Sequence, residues 1–217
     1  RMVRLGSEML QGYTEKDWKS WWQQPHIQSH LENLFAPVGE MARTLDVKVS
    51  FHPGQFCVLA SDTPDIVERS IEEFEYHADM ARWMGFGKSF QDGCKINVHI
   101  SGRQGPEGIK KALPRLSQEA RNLITIENDE MGHGLEKSLE LEKHLALVLD
   151  IHHHWIRDEE YIEPTDDRVK RVIDSWRGQR PSMHYSYSRD EHLAVAGLGD
   201  KTHTEMHNIK DLLERGC

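Results

Sequence analysis

The chain has 217 residues, 37% of them hydrophobic, with 36 acidic against 27 basic side chains and a formal charge of −9. That length fits one large domain but falls slightly short of the roughly 250 residues of an ordinary α/β barrel. No stretch approaches the roughly 18 apolar residues of a membrane span, and the acidic balance speaks against non-specific nucleic-acid binding unless bound cations neutralise some carboxylates.

The start, "RMVRLGSEML", has no apolar signal-peptide core and no initiator methionine, so the chain is expected to begin inside a longer reading frame. "MVRL" (2–5) is the first strand candidate. A helix is expected over 28–45, with Leu31, Leu34, Met41 and Leu45 on one face, followed by a second strand, "VKVSF" (47–51). Residues 64–84 read as a helix capped by Asp62 or Thr63, with Pro64 at the first helical position. A strand "KINVHI" (95–100) and a helix over 107–120 come next, then "LITIE" (123–127) and a helix over 134–144. "LALVLDI" (145–151) is the fifth strand, 166–177 a further helix, "SMHYS" (182–186) a weaker sixth strand, and a last helix begins near Asn208. Such alternation implies a parallel sheet with right-handed crossovers, either a barrel or a doubly wound sheet. No G-x-G-x-x-G follows a strand; "GFGKSF" (85–90) resembles one loosely and lies at a helix end.

Five successive strands end on ligand-type residues: His52, His99, Glu127, Asp150 with the histidines after it, and His184. A lone histidine at a strand end is ordinarily a hydrogen-bonded loop residue. Five in series point instead to one rim, because parallel strands present all their C-terminal ends on the same side. A carboxylate that ends an apolar strand is half-buried and costly unless paired, and a cation removes that cost. Imidazole and carboxylate suit Mn, Zn or Fe, and the absence of thiolate disfavours a structural zinc site. In "LDIHHHW" (149–155), alternation along a strand pairs Asp150 with His152 unless the strand turns at Ile151, so periodicity leaves the choice among His152, His153 and His154 open. A multi-metal cluster suits phosphodiester hydrolysis, although sugar isomerases use similar rims.

"SFHPGQF", "NVHISG", "ITIENDE", "VLDIHHHW" and "RPSMHYS" together resemble the motifs of the UV damage endonucleases, metal-dependent DNA repair nucleases of the xylose-isomerase-like barrel superfamily. The resemblance spans nearly the whole chain. It implies one partial TIM-type (β/α) barrel domain over 1–217, with about six of eight βα units and the first and last strands missing. It implies nicking of double-stranded DNA 5′ of UV photoproducts, with two or three divalent ions, manganese foremost and zinc or magnesium as alternatives. Carried over by position, the metal ligands are His52, His99, Glu127, Asp150, His153 and His184, and Glu127, His184 and His203 are the catalytic residues. Gln55 and Phe56 match a Gln–aromatic pair that probes the lesion; the plain alternative is that Phe56 packs beneath its loop.

Basic loop residues Arg103, Arg189 and Lys201 are phosphate-contact candidates, with the acidic excess on outer helices at Glu68, Glu72, Glu73 and Glu75. Ser182 stands where many relatives carry a lysine, and no last-strand glutamate follows "DLLERGC". Without its first and last strands the sheet is expected to be open and C-shaped, with two unpaired edges and exposed interior positions. Such a chain is expected to be a fragment or to bind its metals incompletely. The three cysteines, Cys57, Cys94 and Cys217, have no C-x-x-C spacing and point to a reducing, intracellular setting. No oligomer signal appears, so a monomer with no membrane partner is expected. The rivals are a sugar isomerase or epimerase on the same barrel, an abasic-site endonuclease, and a fragment that binds without catalysis.

Overall fold

The computed structural model describes residues 1–186. Six strands form, β1 (Met2–Leu5), β2 (Lys48–Phe51), β3 (Cys94–His99), β4 (Ile124–Glu127), β5 (Ala146–Asp150) and β6 (Met183–His184). They pair in sequential order, all parallel, and the sheet curls into a half-barrel with helices. Parallel neighbours cannot be joined by tight turns, so each connection carries helix across the sheet. The register sets His99 level with Glu127 and Asp150 level with His184.

The crossovers hold α1 (Lys16–Trp22), α2 (Pro25–Thr44), α3 (Pro64–Trp83), α4 (Gly105–Ala112), α5 (Gln118–Leu123), α6 (Leu135–Leu139), α7 (Ile151–Asp158) and α8 (Asp167–Ser175). Strand residues Phe51, Ile96, Ile124, Ile126, Leu147 and Leu149 are fully buried, as are Phe74, Met80 and Met84 from α3 and its end. All of β5 is buried, which explains why it reads as an unbroken apolar run: a sheet covered on both faces leaves no strand face for water. Each such side chain stabilises the fold by about 1.5–3 kcal/mol relative to exposure.

Several expectations are corrected. The helix expected over 107–120 breaks into α4, a 3₁₀ turn at Leu113–Arg115 and α5. Pro114 supplies no N–H to continue α4, and Ser117 starts a new helix by accepting the N–H of Ala120 at 3.1 Å. Helices α1 and α7 were not anticipated, and the fifth strand stops at Asp150 because α7 begins there. On α2 the buried arc is Leu31, Gly39 and Ala42 with Phe35 beside it, while Leu34, Met41 and Leu45 lie exposed on the neighbouring arc. Gly39 decides this rotation, because a Cβ there would lie 1.9 Å from the carbonyl oxygen of Met84. The helix expected near Asn208 lies outside the described residues.

The two sheet edges, β1 and β6, come closer than an open C suggests. Ser182 Oγ lies 3.4 Å from Met2 Sδ, and Arg4 Nη2 lies 2.6 Å from His184 Nε2. Met2, Val3 and Met183 are nonetheless exposed along these edges.

Candidate metal centre

Glu127 ends β4 with a side chain only 1% exposed. Its surroundings are built to receive charge. Asn97, on β3, donates from Nδ2 to Glu127 Oε2, and Thr125 fixes that amide's orientation by donating to Asn97 Oδ1 at 3.0 Å. His184 Nδ1 donates to Glu127 Oε1 at 2.6 Å. His52 and His99 bring Nε2 to 3.4 and 3.8 Å of Oε2, and His153 Nδ1 lies 3.8 Å from Oε1. Burial by itself raises the carboxyl pKa; hydrogen bonds from His184 and His52 outweigh it and hold Glu127 below the usual carboxylate range. Reciprocally, Asp150 and then Glu127 push His184 up to about 9, opposed by burial and by Arg4.

Three imidazoles are oriented through Nδ1. That of His52 donates to Pro53 O at 2.9 Å, that of His99 to Asp129 Oδ2 at 2.9 Å, and that of His153 to Asn128 O at 2.9 Å. Each turns its Nε2 toward a carboxylate, His153 Nε2 lying 3.3 Å from Glu130 Oε2. Asn128 is also the clamp between β4 and β5, donating to Asp150 O at 2.9 Å and accepting from Asp150 N at 2.8 Å.

The triple histidine is helical. Asp150 caps α7, its Oδ1 accepting the N–H of His153 at 2.9 Å. A helix turns about 100° per residue, so His153 returns to the side of Asp150. His152 stacks on Trp155 at 6.1 Å, and His154 is buried beside Asp158 with Nδ1–Oδ2 at 2.9 Å. The extended alternation that pairs Asp150 with His152 is therefore overturned.

Three ligand groups result, each with donor atoms within 4.8 Å of one another: His52, His99 and Glu127; His99, Glu130 and His153; Glu127, Asp150 and His184. All six ligand candidates fall in them, and Glu127 and His99 each belong to two. Metal–ligand bonds of about 2.0–2.2 Å put neighbouring ligands on one ion roughly 3.0–3.5 Å apart. Several contacts here are near that separation and too long for good hydrogen bonds, so the donor set fits divalent cations. Glu130 was missed: it lies in "IENDE", but a loop residue leaves no periodic signal. Asp129, Asn97 and Asn128 leave no signal either, since their roles are hydrogen bonds to the ligands and to the strand that carries them.

Elsewhere at the rim, Phe56 is 84% exposed and Gln55 is exposed, on a turn closed by Cys57 N to Gly54 O at 2.9 Å. Phe56 thus does not pack beneath its loop. Arg103 is exposed and paired at 3.4 Å with Asp62. Ser182 faces Met2 and belongs to none of the three groups. Of the acidic helix residues, Glu68 pairs with Arg115, Glu72 with Lys19, and Glu75 with Ser117, while Glu73 is half-buried beside His77. His203, Arg189 and Lys201 lie outside the described residues.

Comparison with known proteins gives a consistent picture. The family model described as "UV-endonuclease UvdE" matches residues 1–214. A "Putative UV-damage endonuclease" of Acanthamoeba polyphaga mimivirus is 32% identical over 167 residues, covering 73% of this chain and 50% of that protein. A "UV DNA damage endonuclease" of Bacillus velezensis is 29% identical over 195 residues, covering 83% and 57%. The chain thus spans about half the length of these relatives. The crystal structure of SacUVDE superposes with a TM-score of 0.69 at 22% identity, over 90% of this chain and 70% of that one, a likeness of fold.

Proposed function

Because this chain belongs to the UV-endonuclease UvdE family, we propose that it acts in DNA repair as a metal-dependent endonuclease, nicking double-stranded DNA on the 5′ side of UV photoproducts. The observation that carries the reading is Glu127, a buried carboxylate surrounded by His52, His99, His153 and His184 at the C-terminal rim. His52, His99, Glu127, Asp150, His153 and His184 hold the ions, joined by Glu130; manganese is the expected metal, and two or three ions fit the three groups. Bound divalent ions lower the pKa of a water and clamp phosphodiester oxygens.

The chain's own residues prepare that site. Glu127 and His99 each belong to two of these groups, and His99, whose Nδ1 is taken by Asp129, would serve one ion through Nε2. Asp129, Asn128 and the Pro53 carbonyl keep the protons of three imidazoles on Nδ1, so the Nε2 lone pairs stay available. Glu127 and His184 are the catalytic pair within the described residues, with His203 as the third member. At the lesion, Phe56 enters a stack that a dimer has already weakened and Gln55 follows it, while Arg103 exchanges Asp62 for a phosphate. The substrate places this work inside a cell, and among the described residues no helix is long and apolar enough to cross a membrane.

Plasmid nicking tests the proposal. With Mn²⁺, the 217-residue chain is expected to nick irradiated but not unirradiated plasmid, and Glu127→Gln or a chelator is expected to abolish nicking. Equal nicking of both plasmids overturns it. Binding of metal and damaged DNA with no nick returns the binding-only reading. A sugar isomerase has no use for an exposed Gln55–Phe56 turn, and nothing among the described residues at this rim favours that alternative.

A further inference from the structure

The loop between β4 and α6 holds one apolar side chain out in water by a set of polar contacts. Asp129 Oδ1 accepts the N–H of Met131 at 2.8 Å and that of Gly132, and Asp129 N donates to His133 O at 3.0 Å. His133 Nε2 is bonded to Gly102 O at 2.8 Å, fitting against Gly105, where a Cβ would lie 2.9 Å from the ring. Arg157 donates to Glu130 O at 3.2 Å. The other oxygen of Asp129 receives His99 Nδ1, so the turn is tied to a candidate ligand. Glu130 faces His153 at 3.3 Å, and the next residue, Met131, is 86% exposed.

A lone apolar side chain on a surface ordinarily means nothing. This one stands at the tip of a turn pinned to the loop after β3, to helix α7 and to His99, which keeps it from folding back onto the core. It also has a counterpart. Phe56 is held out on the turn after β2, and β2 and β4 flank β3, the strand that ends on His99. The two loop roots are therefore about 10 Å apart, the length of about three base steps of a DNA strand.

We infer that Met131 is a second wedge, inserting into the base stack beside a lesion from the opposite side of the His99 strand to Phe56. The inference rests on the nuclease reading. Methionine suits the task because an unbranched thioether adapts to an irregular gap, and apolar wedges of this kind hold kinked base steps open. The side chain contributes no ligand, so its part is specificity for DNA that unstacks readily.

The test is fluorescence titration of the full chain with duplexes carrying 2-aminopurine beside a thymine dimer, the link 5′ of the dimer made uncleavable by phosphorothioate, against the same duplex undamaged. The wild type is expected to bind the damaged duplex more tightly and to brighten 2-aminopurine by unstacking it. Met131→Ala is expected to bind that duplex about tenfold more weakly and to lose most of the brightening. Met131→Leu is expected to stay within about twofold. Both variants should melt with the wild type, since the side chain is exposed. A Met131→Ala protein that matches the wild type, or a Met131→Leu protein as weak as Met131→Ala, overturns the wedge and leaves the nuclease reading standing. A wild type that treats the two duplexes alike overturns both.

Discussion

Glu127 keeps its charge where water scarcely reaches because imidazoles and one amide stand in for solvent. The same logic extends one shell outward, where Asp129 orients His99 and its other oxygen builds the following turn. Asp129→Asn keeps the acceptor for Met131 N–H but offers an N–H where His99 needs an acceptor. It is expected to weaken Mn²⁺ binding by about 10- to 100-fold, read by isothermal titration calorimetry, with little change in the metal-free melt. A second residue-scale prediction concerns His77, which is fully buried on α3, donates from Nδ1 to Glu73 O at 2.7 Å, and has no partner at Nε2. Burial lowers its pKa to about 4, assisted by His52 and opposed by the bond to Glu73. The unfolded chain takes up this proton near pH 6.5 and the folded chain only near 4, so stability present above 6.5 is lost as pH falls between those values, by about 3 kcal/mol for this group. An NMR titration of the ring giving an ordinary pKa would refute this. Neither residue was legible beforehand, because both matter through neighbours distant in sequence.

At the scale of elements, strand ends were legible and helix faces less so. An apolar run that stops on a polar residue marks its own boundary, which is why Glu127 ends its strand where expected and the fifth strand, expected to reach Ile151, stops one residue earlier at Asp150. The α2 face was misread because Leu34, Met41 and Leu45 obey the helical period as well as the residues that are buried. What rotates the helix is the small residue, not the large ones: Gly39 admits the end of α3. Gly39→Ala is therefore expected to cost about 1–3 kcal/mol in urea unfolding, more than the mild gain an alanine brings to an unpacked helix. Ser117→Ala, which removes the acceptor for Ala120 N–H, is expected to cost about 1 kcal/mol by the same measurement. Helix α7 was hidden because its cap, Asp150, also reads as the last residue of a strand.

Across the whole molecule, the proposed metal centre would couple folding to metal, because its carboxylates and imidazoles are gathered at one rim only in the folded chain. Ions that bind the folded chain and not the unfolded one stabilise it by about 2.7 kcal/mol at a hundred times Kd, a rise in melting temperature of about 5–10 °C for a chain of this size. Calorimetry with Mn²⁺ and then excess chelator should show that rise and its reversal; identical melts would count against the metal centre. The alternation of apolar runs and helical patterns was enough by itself to determine a parallel α/β sheet and to put His52, His99, Glu127, Asp150 and His184 at strand ends, because strand order and polarity follow from local periodicity and short crossovers. Only the tertiary structure decided that the two sheet edges meet through Arg4 and His184, that Glu130 joins His99 and His153, and which nitrogen of each ring faces the carboxylates. Those features depend on curvature and on hydrogen bonds between residues tens of positions apart, which no local period encodes.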